Sequence, residues 1–330
     1  MTATQIVGGP FFDDLAVGLK VEEAPSLTLT EGLAATHAAI VGDRLRLALD
    51  RDLSRRVTGG ALAHPALVWD VAIGQSTLLT RRVIANLFYR GLMFQRFPMI
   101  GDTLHTTTEV VALRQNRPRP GRGATGLAVL RIRTCDQEAR AVLDFERCAM
   151  LPVRDPDKAI SHTAELPETP SELDRAEMAI PIAGWRLDHF RASVPGPHFD
   201  EQIAGTLWDI AGGDVVSSAP ELARLTLNLA MTHHDAGSSG RLVYGGHTIG
   251  LAAAQTARAL PNLVTIVAWH GCDHLAPVRE GDTLRSTLEL ERIEPLDIGA
   301  GLLHLRSRVR TEHEGQAQDM LDWRFVGVMA

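Results

Sequence analysis

Apolar and polar residues alternate with period two over several stretches of the chain. Thr103 to Leu113 puts Leu104, Thr106, Thr108 and Val110 on one face, Gly126 to Thr134 groups Ala128, Leu130 and Ile132, and Ala139 to Met150 aligns Ala141, Leu143 and Phe145. Such alternation marks half-buried antiparallel strands, and Val83 to Tyr89 is expected to add a fourth. The second half predicts the same set at Leu263 to His270, Thr283 to Ile293, Leu302 to Thr311 and Ala317 to Val328. Helices are expected over Thr28 to Val41, within Ala61 to Leu79, and over Thr248 to Leu260. A further helix is predicted from Ser218, where Ser218 and Glu221 have the spacing of a capping box and Pro220 suits a first turn. Leu222 to Met231 is apolar at nearly every position, which places this helix in a core as the central helix of its half. The fold class is therefore α+β, one long helix wrapped by an antiparallel sheet, twice.

The duplication is written in the sequence itself. Gly91 is followed by GDTLHTTTE from Gly101 to Glu109, and Gly271 is followed by GDTLRSTLE from Gly281 to Glu289. Phe12-Asp13-Asp14 with Gly18 is echoed by Phe199-Asp200-Glu201 with Gly205, and a Thr28/Glu31 capping box by Ser218/Glu221. A period this long means a doubled domain rather than a solenoid. The prolines at 152, 156, 167, 170 and 181, spread among acidic residues, predict a linker across the surface. The expected boundaries are residues 1–151 for the first unit, 152–190 for the linker and 191–330 for the second unit.

Composition narrows the function. With 33 basic and 40 acidic residues the net charge is −7, which argues against an extended nucleic-acid surface. No stretch approaches the length of a membrane span, and the N-terminus lacks a charged segment followed by an apolar run, so the cytoplasm is expected. Cys135, Cys148 and Cys272 fall in no C-x-x-C spacing, which predicts buried thiols rather than disulfides or a zinc ribbon.

Candidate chemistry gathers between residues 221 and 247. Glu221, Arg224, Asn228 and Thr232 share one helical face, and His233 follows five residues after Asn228. On a continuous helix those two side chains would lie about 140° apart, so they converge only if the helix ends between them. The pair then either meets a small polar substrate or is a backbone-satisfied Asn beside a capping His. Gly245-Gly246, before a helix expected to start near His247, would offer backbone N–H groups to an oxyanion, or make a tight turn. Tyr244, His247 and His234 could line a cleft. Arg224 and Arg241 could meet a substrate carboxylate or be a helix pair and a loop charge. His270-Gly-Cys-Asp-His274 fits no common zinc spacing and is expected as a turn before GDTL, and no metal site is expected. Arg114, Arg117, Arg119 and Arg122 could touch phosphates or stay solvated.

A doubled unit of buried helix and antiparallel strands, with GDTL opening a long strand, resembles the double hot-dog MaoC-like enoyl-CoA hydratases and dehydratases. TLNLAMTHHD followed by RLVYGGH is similar to that family's acidic-x4-His segment and later I-A-H-G turn, and to the mesaconyl-CoA hydratase (beta-methylmalyl-CoA dehydratase) branch, where Asn replaces the acid. The resemblance implies a hydro-lyase acting on a short-chain acyl-CoA thioester. His233 would be its general base, Asn228 would position water, and Tyr244, Gly245, Gly246, His247 and Arg241 would line the substrate site. No cofactor is implied, because CoA enters as part of the substrate. In the first half Asp43 takes the acidic position and Ala48 the position of the His, so that copy is expected to be silent, with Leu62 to Pro65 as its I-A-H-G turn. Hot-dog units associate side by side, so the halves could pair within one chain, leaving a homodimer of chains open. A hot-dog thioesterase or a non-catalytic acyl-CoA-binding protein are the alternatives.

Overall fold

Two helices that are apolar around most of their circumference occupy the centre, because nothing on their surfaces gains by facing water. The computed structural model describes residues 7–117, 120–155, 162–235, 240–313 and 316–330. In chain order the first half contributes Lys20–Val21 (β1), Leu27–Thr28 (β2), Glu31–Val41 (α1), Arg46–Leu49 (α2), Arg51–Thr58 (α3), Pro65–Gln75 (α4), Ala85–Phe94 (β3), Thr103–Gln115 (β4), Thr125–Cys135 (β5) and Ala141–Pro152 (β6). Then follow Arg175–Ala179 (α5), Leu187–Ser193 (α6), Leu207–Asp209 (β7), Asp214–Val215 (β8), Ala219–Leu225 (α7), Gly245–Ala259 (α8), Leu263–His274 (β9), Thr283–Leu296 (β10), Ala300–His313 (β11) and Gln316–Met329 (β12).

Among the described residues these strands form one twelve-stranded sheet in the order β1-β4-β5-β6-β3-β9-β12-β11-β10-β7, with β2 on β4 and β8 on β10. The halves meet where β3 pairs antiparallel with β9, placing Phe88 opposite Asp273 and Arg90 opposite Gly271. This is the double hot-dog architecture. All residues of α4 are buried, as is Gly246 through Ala257 of α8. At the seam Trp69 meets Trp269 with ring centroids 4.8 Å apart, and Trp323 closes on Trp269 at 5.5 Å. The repeat has a physical basis at each echo. Gln75 Nε2 donates to the Leu104 carbonyl and Gln255 Nε2 to that of Leu284, both at 3.0 Å, tying each central helix to its GDTL strand. The Asp of each GDTL closes its own turn, accepting from Met99 N at 2.8 Å and from Arg279 N at 2.7 Å.

Several expected elements differ. The helix predicted from Ser218 ends at Leu225, and the central helix of the second half is α8 instead. Ser218 sits at φ 58° with no side-chain capping bond, so the Ser218/Glu221 capping box does not form; Ala219 N donates to Glu280 Oε1 at 3.2 Å. The helix closes in a Schellman motif, with Asn228 N donating to Ala223 O at 2.8 Å and Leu227 N to Arg224 O at 3.2 Å. Leu227 takes the left-handed position at φ 61°, and beyond it Leu229 and Met231 are each 42% exposed. An apolar run without glycine concealed this stop. The first-half helix begins after Thr30, which accepts from Leu33 N, while Thr28 belongs to β2.

The proline-rich connection carries two short helices that the sequence did not suggest, α5 and α6, with Met178, Leu187 and Phe190 buried in the core. Gln115 N donates to His162 O at 2.9 Å, fastening it along β4; Pro156 lies outside the described residues. Among the described residues no helix is long and apolar enough to cross a membrane, and the three cysteines are free.

Candidate active site

The segment carrying Asn228 and His233 begins where α7 stops and is seated on the other half of the molecule. Leu229 N donates to Thr77 Oγ1 and Met231 N to Arg81 O, both at 2.8 Å. Thr226 O packs so closely on Gly74 of α4 that a Cβ there would lie 1.7 Å from it. Asn228 and His233 therefore both lie beyond the end of the helix, not across its terminus, in one compact turn. Asn228 Oδ1 accepts from Ala230 N at 3.0 Å, and Ala230 O accepts from His233 N at 3.0 Å.

His233 ends a 3-10 turn, Met231–His233, and is buried. Its Nδ1 lies 2.9 Å from the Leu242 carbonyl. A carbonyl only accepts, so Nδ1 carries the proton and Nε2 holds the lone pair. Burial pushes the imidazole down to about 4, which keeps it neutral near pH 7. His234 Nε2 donates to the Asn228 carbonyl at 2.6 Å, so this neighbour braces the turn.

Behind His233 stands the start of α8. Tyr244 is its N-cap, and Gly245 and Gly246 form its first turn, two residues earlier than the start expected at His247. The first amides of a helix have no partner within it. The Tyr244 ring lies 5.7 Å from that of His233, and its hydroxyl donates to the Asp70 carbonyl at 3.1 Å. Glycine is required at both following positions. A Cβ on Gly245 would fall 2.7 Å from the His274 ring, and one on Gly246 would fall 2.0 Å from Asp70 Oδ1.

The other expected residues are placed differently. Arg241 pairs with Glu280 at 2.7 Å, and Arg224 makes an exposed pair with Glu221 at 3.4 Å. His247 is fully buried, with both ring nitrogens unpartnered among the described residues, and burial pushes it down to about 4. Arg119 and residues 236–239 lie outside the described residues. The His270 to His274 stretch is the end of β9 rather than a turn. His270 contacts His304 at 3.1 Å while His274 leans on Gly245. Among the described residues no group of three His, Cys, Asp or Glu could hold a metal.

Sequence reasoning missed Thr77 and Asp70, and it weighed His274 only within the His270 to His274 stretch read as a turn. The repeat carries a signal for two of them. At an offset of 180, set by Gly91 and Gly271, His274 stands where the first half has the buried Phe94, and Asp70 where the second has Gly250. In the first half Ala48 lies in α2, but Asp43 lies 2.6 Å from His64 Nε2, with side chains 3% and 7% exposed. Burial acts to raise the Asp43 carboxyl, but His64 outweighs it and holds the group below the usual range. Asp70, bonded to His37 at 3.0 Å, is driven above that range by burial. A cavity of about 360 Å³ opens elsewhere, beneath the connection and beside Arg90, Arg131 and Glu168, and contains none of these site residues.

The chain is similar both to solved structures and to curated proteins. A solved conserved hypothetical protein of Mycobacterium tuberculosis, described as having a double hot-dog fold, is 54% identical and aligns over 99% of this chain and 100% of that one with a TM-score of 0.88. A putative MaoC-domain dehydratase of Chloroflexus aurantiacus is 26% identical over 99% of each chain, with a TM-score of 0.86. Among curated proteins, the beta-methylmalyl-CoA dehydratase of Chloroflexus aurantiacus is 29% identical over 296 residues, 86% of this chain and 82% of its own length. The mesaconyl-CoA hydratase of Cereibacter sphaeroides is 29% identical over 309 residues, 90% and 88% of the two chains. No family model matches the chain.

Proposed function

The chain belongs to the MaoC-like double hot-dog family, and from that premise we propose that it adds water to a short-chain enoyl-CoA thioester, or removes it from the 3-hydroxyacyl-CoA. The observation that carries this reading is the bond from His233 Nδ1 to the Leu242 carbonyl, which leaves Nε2 as a neutral base beside the first turn of α8.

In the hydration direction, Nε2 takes a proton from water as the oxygen bonds to the β-carbon. The π electrons move onto the thioester oxygen, where the amides of Gly245 and Gly246 and the helix dipole meet the growing charge. The imidazolium then returns its proton to the α-carbon. Asn228 cannot be a base; with Oδ1 held by Ala230 N, its Nδ2 is the group that orients the water. Hydrolysis of the thioester would want a carboxylate at position 228, and an amide stands there.

Loss of the enoyl-thioester absorbance with crotonyl-CoA and mesaconyl-CoA tests the reading. Release of free thiol instead would mean hydrolysis, and neither change would mean binding alone. His233→Ala is expected to lower turnover by about 10²- to 10⁴-fold without changing the fold. Unchanged turnover removes His233 from the mechanism. Asn228→Asp should retain activity, since a carboxylate can also hold water.

A further inference from the structure

The connection between the halves is fastened to the second sheet by a chain of polar contacts that the proposed reaction does not use. His270 on β9 and His304 on β11 are 7% and 3% exposed. His270 Nδ1 donates to the Pro170 carbonyl at 3.1 Å, and its Nε2 lies 3.1 Å from His304 Nδ1. His304 Nε2 in turn lies 3.0 Å from Arg292 Nη2 and 3.1 Å from Glu294 Oε2. Thr169 rests so closely on β9 that a Cβ on Gly271 would fall 3.1 Å from its hydroxyl oxygen. Pro167, Glu168, Pro170 and Glu177 form the connection's side of the cavity of about 360 Å³, with Arg90 and Arg131 in its wall.

Two neutral imidazoles keep a donor in every link of this chain in one way only. A carbonyl accepts, so the His270 proton is on Nδ1 and Nε2 is left as an acceptor. His304 then donates from Nδ1, and its Nε2 accepts from Arg292. Glu294 faces that same Nε2 with a carboxylate and no proton between them, 3.6 Å from Arg292 Nη1 and 4.0 Å from Arg175 of α5. Burial, ahead of Arg292 acting on both rings and Arg324 acting on His270, holds both imidazoles below the ordinary histidine value. Glu294 pulls the other way on His304, as do the Pro170 carbonyl and Glu291 on His270. The pair is therefore neutral at pH 7. An opened connection would return both rings to about 6.5, so protons favour the open arrangement.

We propose that His270 and His304 are a two-proton latch, which holds the connection across β9 and β11 near neutrality and lets it lift in acid, opening the cavity beneath. The first proton goes to His304 Nε2, which then donates to Glu294 while Arg292 turns out to solvent. Glu294 thereby gains a partner at the expense of Arg175 on the connection. The second proton has only His270 Nε2 to bind, where it meets the His304 Nδ1 proton across 3.1 Å. Two donors and two cations then face each other, and the link is lost. The device belongs to one half only. At the position 180 residues before His270 stands Arg90, a cation at any ordinary pH, paired with Asp273 at 2.6 Å. It draws on no residue of the proposed active site and does not depend on the hydratase reading.

Limited proteolysis tests the latch. The full chain and its His270→Gln and His304→Gln variants are incubated with a glutamate-specific protease between about pH 7.5 and pH 5, and cutting after Glu165, Glu168 and Glu172 is followed by mass spectrometry. Such cutting tracks the population of the opened connection. Glutamine keeps a donor and an acceptor at either position but takes up no proton. The ratio of wild-type to variant rates cancels the protease's own pH dependence; it should be near one at the upper pH and at least about tenfold at the lower. A ratio near one throughout overturns the proposal. Proton NMR of the wild type supplies a readout that does not depend on how the variants fold. The ring signals of His270 and His304 and the amide signal of Thr169 should move together, with a midpoint below about pH 6.5. Rings that titrate while Thr169 stays fixed, or a Thr169 signal that moves without them, overturn it as well.

Discussion

Leu227 shows what one residue contributes to the site. Its left-handed backbone, φ 61°, lets Asn228 N reach back to Ala223 O and turns the chain off the helix towards the other half. A side chain in that conformation costs about 1–2 kcal/mol, which glycine would not incur. Comparing Leu227→Gly with Leu227→Ala cancels the lost side-chain packing. The glycine variant is expected to be more stable by about 1 kcal/mol in urea unfolding, and equal stability would mean that the turn carries no strain. This residue also marks where the sequence was hardest to read. Asn228 and His233 were singled out by the segment's resemblance to a family motif rather than by spacing alone, and the stop between α7 and the loop depends on a leucine doing what glycine usually does. His274 was read as part of a turn for a related reason. It ends a strand without clean alternation, and only alignment of the two copies sets it against the buried Phe94.

Among the elements, α4 has the most unexpected duty. It belongs to the half without a histidine at position 48, yet its Gly74 receives the Thr226 carbonyl and the following turn anchors Leu229 through Thr77. Gly74→Ala would put a methyl group 1.7 Å from that oxygen, so the loop must lift. The expected result is destabilisation of about 1–3 kcal/mol and loss of most turnover, read by thermal melting and the absorbance assay. A fully active, equally stable variant would show that the loop is not held by this contact. Strands were most legible where period-two alternation survives, as in β4 and β10, and GDTL located the start of both. The central helices were less legible. Helix α8 is interrupted by no polar stripe and opens on two glycines, whereas the apolar stretch after Ser218 looked the more helical but exposes Leu229 and Met231.

For the whole molecule, the histidines set the response to acid. Burial pushes His233, His247 and His274 each down to about 4, against about 6.5 for an open imidazole. Protons therefore bind the unfolded chain first. Stability is complete above about pH 6.5 and is lost progressively as the pH falls towards 4. His247 alone contributes on the order of 3 kcal/mol to that loss by this linkage. Its counterpart in the first half is Leu67, which predicts that His247→Leu raises the melting temperature and flattens its decline between pH 6.5 and 4. An unchanged profile would place the acid sensitivity elsewhere.

The rungs between β3 and β9, with Trp69 against Trp269 behind them, make the covalent connection dispensable for keeping the halves together. A protease nick between β6 and α5 should give two bands on a denaturing gel but a single peak of unchanged size on gel filtration. Two separately expressed polypeptides should likewise recombine into a working whole.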